Sequence, residues 1–266
     1  MSFSINGKTA IVTGAANGIG LAIARHFADQ GANVMCADMD EKRLTDQLGD
    51  GAEDGTMRVF AGDLRQRLTV ANLVSATIDA FDSVDILINA SRQVMETDAL
   101  DVEDNSVETL IEQNLMTSLR LSQAVARRMI RQAEVGGSGQ VGAIVNLSSI
   151  AARQTRPELM AYSVAAAALE QMTRSMALAL APHRIRVNAI AFGSVMSASL
   201  KSSILEHEDW RKDIETHTPL ERIASPGELC EAVQFLASEG AGFITGEIVT
   251  VDGGRTLLDA VAAPAH

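Results

Sequence analysis

The run "TGAANGIG", Thr13 to Gly20, places glycines at 14, 18 and 20 between a β-rich segment and an amphipathic one. Glycines so spaced allow a tight turn and let backbone N–H groups approach a pyrophosphate at a helix N-terminus, with Asn17 and Ile19 in the same candidate loop. Asp38 closes the next β-rich run, 18 residues beyond Gly20. A carboxylate there accepts hydrogen bonds from the adenosine ribose hydroxyls and repels a 2′-phosphate. Neither Arg nor Lys lies in the loop, and Met39 and Asp40 follow Asp38, so NAD is favoured over NADP. The chain's one tyrosine, Tyr162, opens the alanine-rich stretch "AYSVAAAALE". A phenol there can serve packing alone or exchange a proton with a substrate, and the stretch by itself leaves both open.

Those groups need a scaffold, and the chain alternates short β-rich runs with longer helical patterns. "TAIVTG", "NVMCAD", "MRVFAGD", "VDILINA", "VGAIVNLSS", "RIRVNAIAF" and "EIVTVDGG" are the strand candidates. Between them, Ile19, Ile23 and Phe27 repeat at i, i+4 and i+8 on one helix face. Further helices are expected over "EKRLTDQLGD", from about Gln66 to Phe81, Glu103 to Ala133 and Pro157 to Ala181, and over "SPGELCEAVQFLAS". The last should take Ser225 as its N-cap and Pro226 in its first turn. Seven strands alternating with helices predict one doubly wound α/β domain over residues 1–266, with a seven-stranded parallel sheet and helices on both faces. An irregular stretch from Gly193 to Ala224 interrupts the alternation, with "SASLKSSILEHEDW" expected to be helical. We expect its part from about 196 to 218 to form a lid at the carboxyl edge of the sheet, where ligands bind. Trp210, the one tryptophan, either closes over a ligand or packs in the core. The glycine-rich "EVGGSGQ" is expected to be a loop, and the tail "DAVAAPAH" to be ordered only if it docks.

Composition bounds the partners. A net charge of −12 with pI near 4.8 argues against nucleic acid or an anionic membrane surface. No apolar run approaches the roughly 20 residues of a membrane span. Cys36 and Cys230 stand far apart in apolar contexts, as expected of buried free thiols rather than a disulfide or metal pair. With no basic-then-apolar leader at its start, the chain is expected to be cytoplasmic.

The motifs in order, "TGAANGIG", "AGDL", "VDILINA", "NLSS", the tyrosine 13 residues after Ser149, "RIRVNAIAFG" and "VTVDGG", resemble the short-chain dehydrogenase/reductase family. The resemblance covers about residues 5–255 and implies the Rossmann form of the fold. The C-terminal third most resembles 7α-hydroxysteroid dehydrogenases and 3-oxoacyl-carrier-protein reductases. It implies that Asp63 and Leu64 contact the adenine, that Asn89 and Ala90 line the cofactor near its adenosine ribose, and that Val195 belongs to the cofactor site. Ser149 is implied to hydrogen-bond the substrate oxygen, Tyr162 to be the general acid/base, and Asn114 to hold a water in the proton path. Residue chemistry alone also allows Asn114 to bond a neighbouring carbonyl and Ser149 to cap the next element.

Three positions depart from that pattern. The family places a lysine four residues after the tyrosine, where this chain has Ala166. At i+4 that lysine would share the tyrosine's helix face and reach the nicotinamide ribose. A cation about 4 Å from a phenolate, at an effective dielectric near 20, is worth roughly 4 kcal/mol, or about 3 pKa units. A glycine expected after the fourth strand is replaced by Arg92, and a proline after the sixth strand by Phe192. Arg92 either supplies a substitute cation or obstructs the nicotinamide. Two readings follow: an NAD-dependent secondary-alcohol or ketone oxidoreductase with impaired catalysis, or a nucleotide-binding pseudo-enzyme or regulatory subunit. Apolar residues on several faces of the long helices, Leu115, Leu119, Met129, Leu169, Met172 and Met176, are consistent with core packing. The resemblance implies instead a homotetramer paired through such helices.

Overall fold

The structure, a computed structural model, describes residues 3–52, 55–134, 139–259 and 261. Seven strands form one sheet: β1 (Thr9–Thr13), β2 (Asn33–Asp38), β3 (Met57–Ala61), β4 (Ile86–Asn89), β5 (Gly142–Ser149), β6 (Ile185–Phe192) and β7 (Ile248–Val251). All pair in parallel, in the order β3-β2-β1-β4-β5-β6-β7. The chain turns from building one half of the sheet to the other between β1 and β4, which opens a crevice at their carboxyl ends. β5 and β6 are buried at every residue, as expected of central strands covered on both faces.

On one face, α1 (Gly18–Asp29), α2 (Glu41–Ala52) and α9 (Pro226–Ala237) pack with Ile23, Phe27, Leu44, Leu48 and Val233 inward. The other face carries α3 (Arg67–Phe81), α5 (Thr117–Ala133) and α6 (Met160–Leu180), whose Leu73, Leu121, Val125 and Met129 meet β1, β4 and β5. Ile19, Ile23 and Phe27 are all buried, so the expected apolar face of α1 is realised. α9 begins at a reciprocal cap: Ser225 Oγ accepts from the Glu228 amide, and Glu228 accepts from the Ser225 amide at 2.9 Å.

The helix expected from Glu103 starts later, at α4 (Ser106–Leu110). Asp104 holds the chain in a turn, its carboxylate accepting from the Asp98 and Ser106 amides at 2.8 and 2.7 Å. Between α4 and α5 the helix widens into a π turn, Ile111–Met116. Pro157 opens a 3₁₀ turn, and α6 proper begins at Met160. The stretch after β6 holds two helices, α7 (Ala198–Glu206) and α8 (Glu208–Thr216), rather than one. Its ends are tied together by a parallel bridge between Val195 and Ala224. Trp210 lies outside the core, 48% exposed and stacked on His207 at 4.2 Å.

Met129 and Leu169 are core residues, so among the apolar residues noted on the long helices these two are unavailable to a partner. Leu115, Leu119, Met172 and Met176 are half-buried. Both cysteines are buried and free, and burial pushes their thiols up, to about 12 for Cys36 and about 11 for Cys230. Among the described residues no helix is long and apolar enough to cross a membrane. Most of the "EVGGSGQ" loop and of the C-terminal tail lies outside the described residues.

Candidate active site

The candidate residues collect at the carboxyl edge of the sheet. Gly14 follows β1 at φ +67, and a Cβ there would stand 3.0 Å from Ala90 O and Ser91 Cα. Only glycine lets the turns after β1 and β4 approach so closely. Gly20 is tighter still, because its Cβ would fall 2.1 Å from Gly14 O. Together they draw the start of α1 up under the loop. Asn17 is the N-cap of α1 with extended backbone, and its side chain makes no capping bond among the described residues. The first-turn amides and the positive end of the helix dipole thus face the crevice, a cradle suited to a pyrophosphate.

Asp38 stands at the tip of β2 beside this loop. Its Oδ2 accepts from the Ala16 amide and its Oδ1 from the Asp40 amide, both at 3.1 Å. Each oxygen keeps capacity for a further donor. Asp63 forms a fork with Arg65 at 2.8 Å, and the Arg65 guanidinium holds its carboxyl below the usual carboxylate range. Leu64 beside it is buried. The Asn89 side chain is committed inward, donating to Asn146 Oδ1 at 2.7 Å and Ser122 Oγ at 3.0 Å, so only its backbone and that of Ala90 face the crevice edge. Asn146 in turn donates to Thr173 at 2.9 Å. This buried polar chain ties β4 to β5 and α6; Asn89 and Asn146 stand in motifs the sequence displays, whereas Ser122 and Thr173 had no signature there.

Ser149 ends β5, and its Oγ accepts from the Ala151 amide at 3.1 Å, leaving the hydroxyl proton to donate. Tyr162, in the first turn of α6, is 7% exposed. Its hydroxyl accepts from Arg92 Nη1 at 2.9 Å, across a separation of 70 residues. The same guanidinium lies 4.3 Å over the Phe192 ring. Arg92 is therefore engaged with the tyrosine through a hydrogen bond. Asn114, in the π turn, does not bond a helical neighbour through its side chain. Its Oδ1 accepts from the Gln93 amide and its Nδ2 donates to Gln93 O, both at 2.8 Å. Val195 is buried where the segment after β6 departs. Ala166 lines a pocket of about 300 Å³, open mouth included, together with Ser91, Arg92, Asn114 and Tyr162.

These residues fit a dinucleotide in the adenosine and pyrophosphate half: a close glycine turn that a Cβ at Gly14 or Gly20 would break, a helix N-terminus, and a carboxylate at the tip of β2. Toward the other half, Tyr162 and Arg92 line the pocket, and Ser149 stands at the carboxyl end of β5.

A family model described as enoyl-(acyl carrier protein) reductase matches residues 14–256. An uncharacterised oxidoreductase of Mycobacterium tuberculosis is 33% identical over 256 residues, covering 96% of this chain and 94% of its own. A 7α-hydroxysteroid dehydrogenase structure with NADH and 7-oxo glycochenodeoxycholic acid superposes with a TM-score of 0.85 at 30% identity, covering 95% of this chain and 96% of its own. A gluconate 5-dehydrogenase from Burkholderia cenocepacia, in complex with NADP and tartrate, gives 0.87 at 27% identity, covering 97% of this chain and 98% of its own. With these matches spanning both the nucleotide cradle and the Ser149–Tyr162 edge, the chain belongs to the short-chain dehydrogenase/reductase family.

Proposed function

We propose that the protein is an NAD-dependent oxidoreductase of secondary alcohols or ketones, with hydroxysteroid-like and 3-oxoacyl-like compounds as the first substrates to try. The observation that carries this is the coexistence, on one sheet edge, of the Gly14–Gly20 cradle and the hydroxyls of Ser149 and Tyr162. Bound NAD would supply hydride transfer. Ser149 donates its hydroxyl to the substrate oxygen, and Tyr162 gives or takes the proton at that oxygen. Asn114 is assigned the water of the proton path; its side chain bonds Gln93 and its carbonyl accepts from Ser118 Oγ at 3.0 Å. Asp63 and Leu64 flank the adenine, with the Asp63 carboxylate shared with Arg65. Val195 closes the nicotinamide end, and the segment 196–218 covers the substrate. The free buried thiols suit a reducing cytoplasm.

Calorimetry with NADH and NADPH, beside an activity screen from about pH 7 to about pH 10, tests this reading. NADH is expected to bind more tightly. Asp38→Ala removes charge-assisted bonds worth about 1.5–3 kcal/mol and should narrow the preference by about ten- to a hundredfold. The Asp38 brace on the loop is lost equally for both nucleotides, so the ratio isolates the ribose contact. Tighter NADPH binding by the unaltered protein refutes the assignment. Loss of the lysine at Ala166 favours a second reading, a nucleotide-binding protein without turnover. NAD binding with no activity across the whole screen would support it.

A further inference from the structure

The three departures from the family pattern, Ala166, Arg92 and Phe192, are linked through Arg92. The Tyr162 hydroxyl accepts from Arg92 at 2.9 Å, Arg92 lies 4.3 Å over Phe192, and Ala166 lines the same pocket as both Arg92 and Tyr162. We propose that Arg92 supplies the positive charge at the Tyr162 hydroxyl that the absent lysine would have supplied. The site is then rebuilt rather than degraded. This rests on the assignment of Tyr162 as the acid/base group, which makes Arg92 a catalytic residue in contact with a reacting atom.

The geometry favours the guanidinium staying where it is. Residues on both sides of Arg92 are pinned. The Ala90 and Ser91 amides both donate to Thr13 Oγ1 at 3.0 Å, and Asn114 grips the Gln93 amide and carbonyl at 2.8 Å each. The long side chain therefore leaves a fixed stretch of backbone. The Phe192 ring, itself buried, offers its face as a platform for a cation. A guanidinium keeps its charge at any pH the protein survives, and its bond to an ionised phenol is stronger than to a neutral one. Ala166 leaves space beside the phenol without adding a second cation.

Among the described residues, Arg92 is the one charged side chain lining that pocket. Charges on the elements packed against α6 are mostly engaged elsewhere. Glu112 in the π turn pairs with Arg120, and Glu158 pairs with Arg156 at 2.7 Å. Glu170, farther along α6, lies 3.6 Å from Arg153 and 3.9 Å from Arg174. Arg186 on β6 donates to the carbonyls of Leu236 and Ser238. Glu108 on α4 and His183 after α6 are exposed. None of these is drawn to the Tyr162 hydroxyl by a hydrogen bond or ion pair in the structure.

The chain's single tyrosine makes a test possible with neither substrate nor cofactor. Tyrosinate absorbance in a rapid pH jump, read before any alkaline unfolding, reports Tyr162 alone, and Tyr162→Phe should abolish the signal. In Arg92→Gln the absorbance should rise at a higher pH than in the unaltered protein. Arg92→Lys, which keeps the charge, should recover at least half of that shift. Because Arg92 is solvent-exposed, the difference between unaltered protein and Arg92→Gln should shrink in high salt. The difference should persist with saturating NAD. No difference between the unaltered protein and Arg92→Gln overturns the proposal, as does equal behaviour of the Lys and Gln variants or collapse of the difference when NAD binds. Calorimetry on the same proteins keeps the two readings apart. An Arg92-dependent titration without NAD binding would sink the oxidoreductase reading alone, and NAD binding without the titration difference would sink this one alone.

Discussion

At the residue scale, the chemistry turns on how a phenol is helped to lose a proton, and position 166 tests this through rates. A lysine about 4 Å from the phenol is worth roughly 4 kcal/mol at an effective dielectric near 20, an upper bound of about 10²–10³ in rate. If Arg92 already fills that role, Ala166→Lys alone should raise kcat/KM near neutral pH by less than about tenfold. Two cations would then crowd one hydroxyl. In an Arg92→Gly background the same change should gain about a hundredfold, and the two effects should be strongly non-additive. Equal gains in both backgrounds, measured with any substrate the screen yields, would show that Arg92 and the introduced lysine act independently. The individual residues were unevenly legible. Gly14, Gly20, Asp38, Ser149 and Tyr162 are local to their motifs. The Arg92–Tyr162 bond joins residues 70 apart, and nothing in either neighbourhood encodes it.

At the element scale, the helices followed from periodicity because each buries one face against the sheet, the strands from short β-rich runs between them, and the cap of α9 from Ser225 and Pro226, with Glu228 completing it in the structure. The π turn at Ile111–Met116 did not, since widening a helix by one residue leaves the apolar spacing nearly unchanged. That turn nevertheless places Asn114 against Gln93. The α9 cap carries a pH signature. Its Glu228 carboxyl is pulled down to about 2, first by the Arg222 fork and then by the Ser225 amide. A depressed carboxyl stabilises the fold above its unfolded value near 4.5 and loses that contribution as pH falls toward about 2. The Tm gap between the unaltered protein and Glu228→Gln should therefore be constant above about pH 5 and close on acidification through that window. The pair is exposed, so the gap should be small, and a gap that widens in acid would refute the argument. The segment holding α7 and α8 makes a separate prediction. Trp210 is the one tryptophan and half exposed, so its emission should shift to the blue when ligand draws the segment over the site. Emission indifferent to nucleotide and to every ligand found would mean that the segment does not close.

At the scale of the whole molecule, the sheet order makes β4, α5 and α6 the spine to which the site is attached, through Asn89, Asn146 and Thr173. The outer sides of α5 and α6 are where a second copy would be felt by Tyr162. With Met129 and Leu169 turned into the core and Met176 packed against it, the apolar surface left there is Leu115, Leu119 and Met172, half-buried, with Val164 at 44% and Leu178 at 79% exposure on α6. Burying such residues against water is worth roughly 25 cal/mol per Å², and a stable interface removes about 800 Å² per partner. The net charge of −12 opposes close approach of copies at long range, which makes the expected assembly more stable as salt rises toward the physiological range. Light scattering should therefore give a multiple of the 28.2 kDa chain, a tetramer if two such faces are used. Leu119→Glu combined with Met172→Glu should reduce it to a smaller species with its Tm lowered, because each change leaves an unpaired carboxylate in the contact. A monomer at micromolar concentration for the unaltered protein, at both low and physiological salt, would show that these faces meet only water.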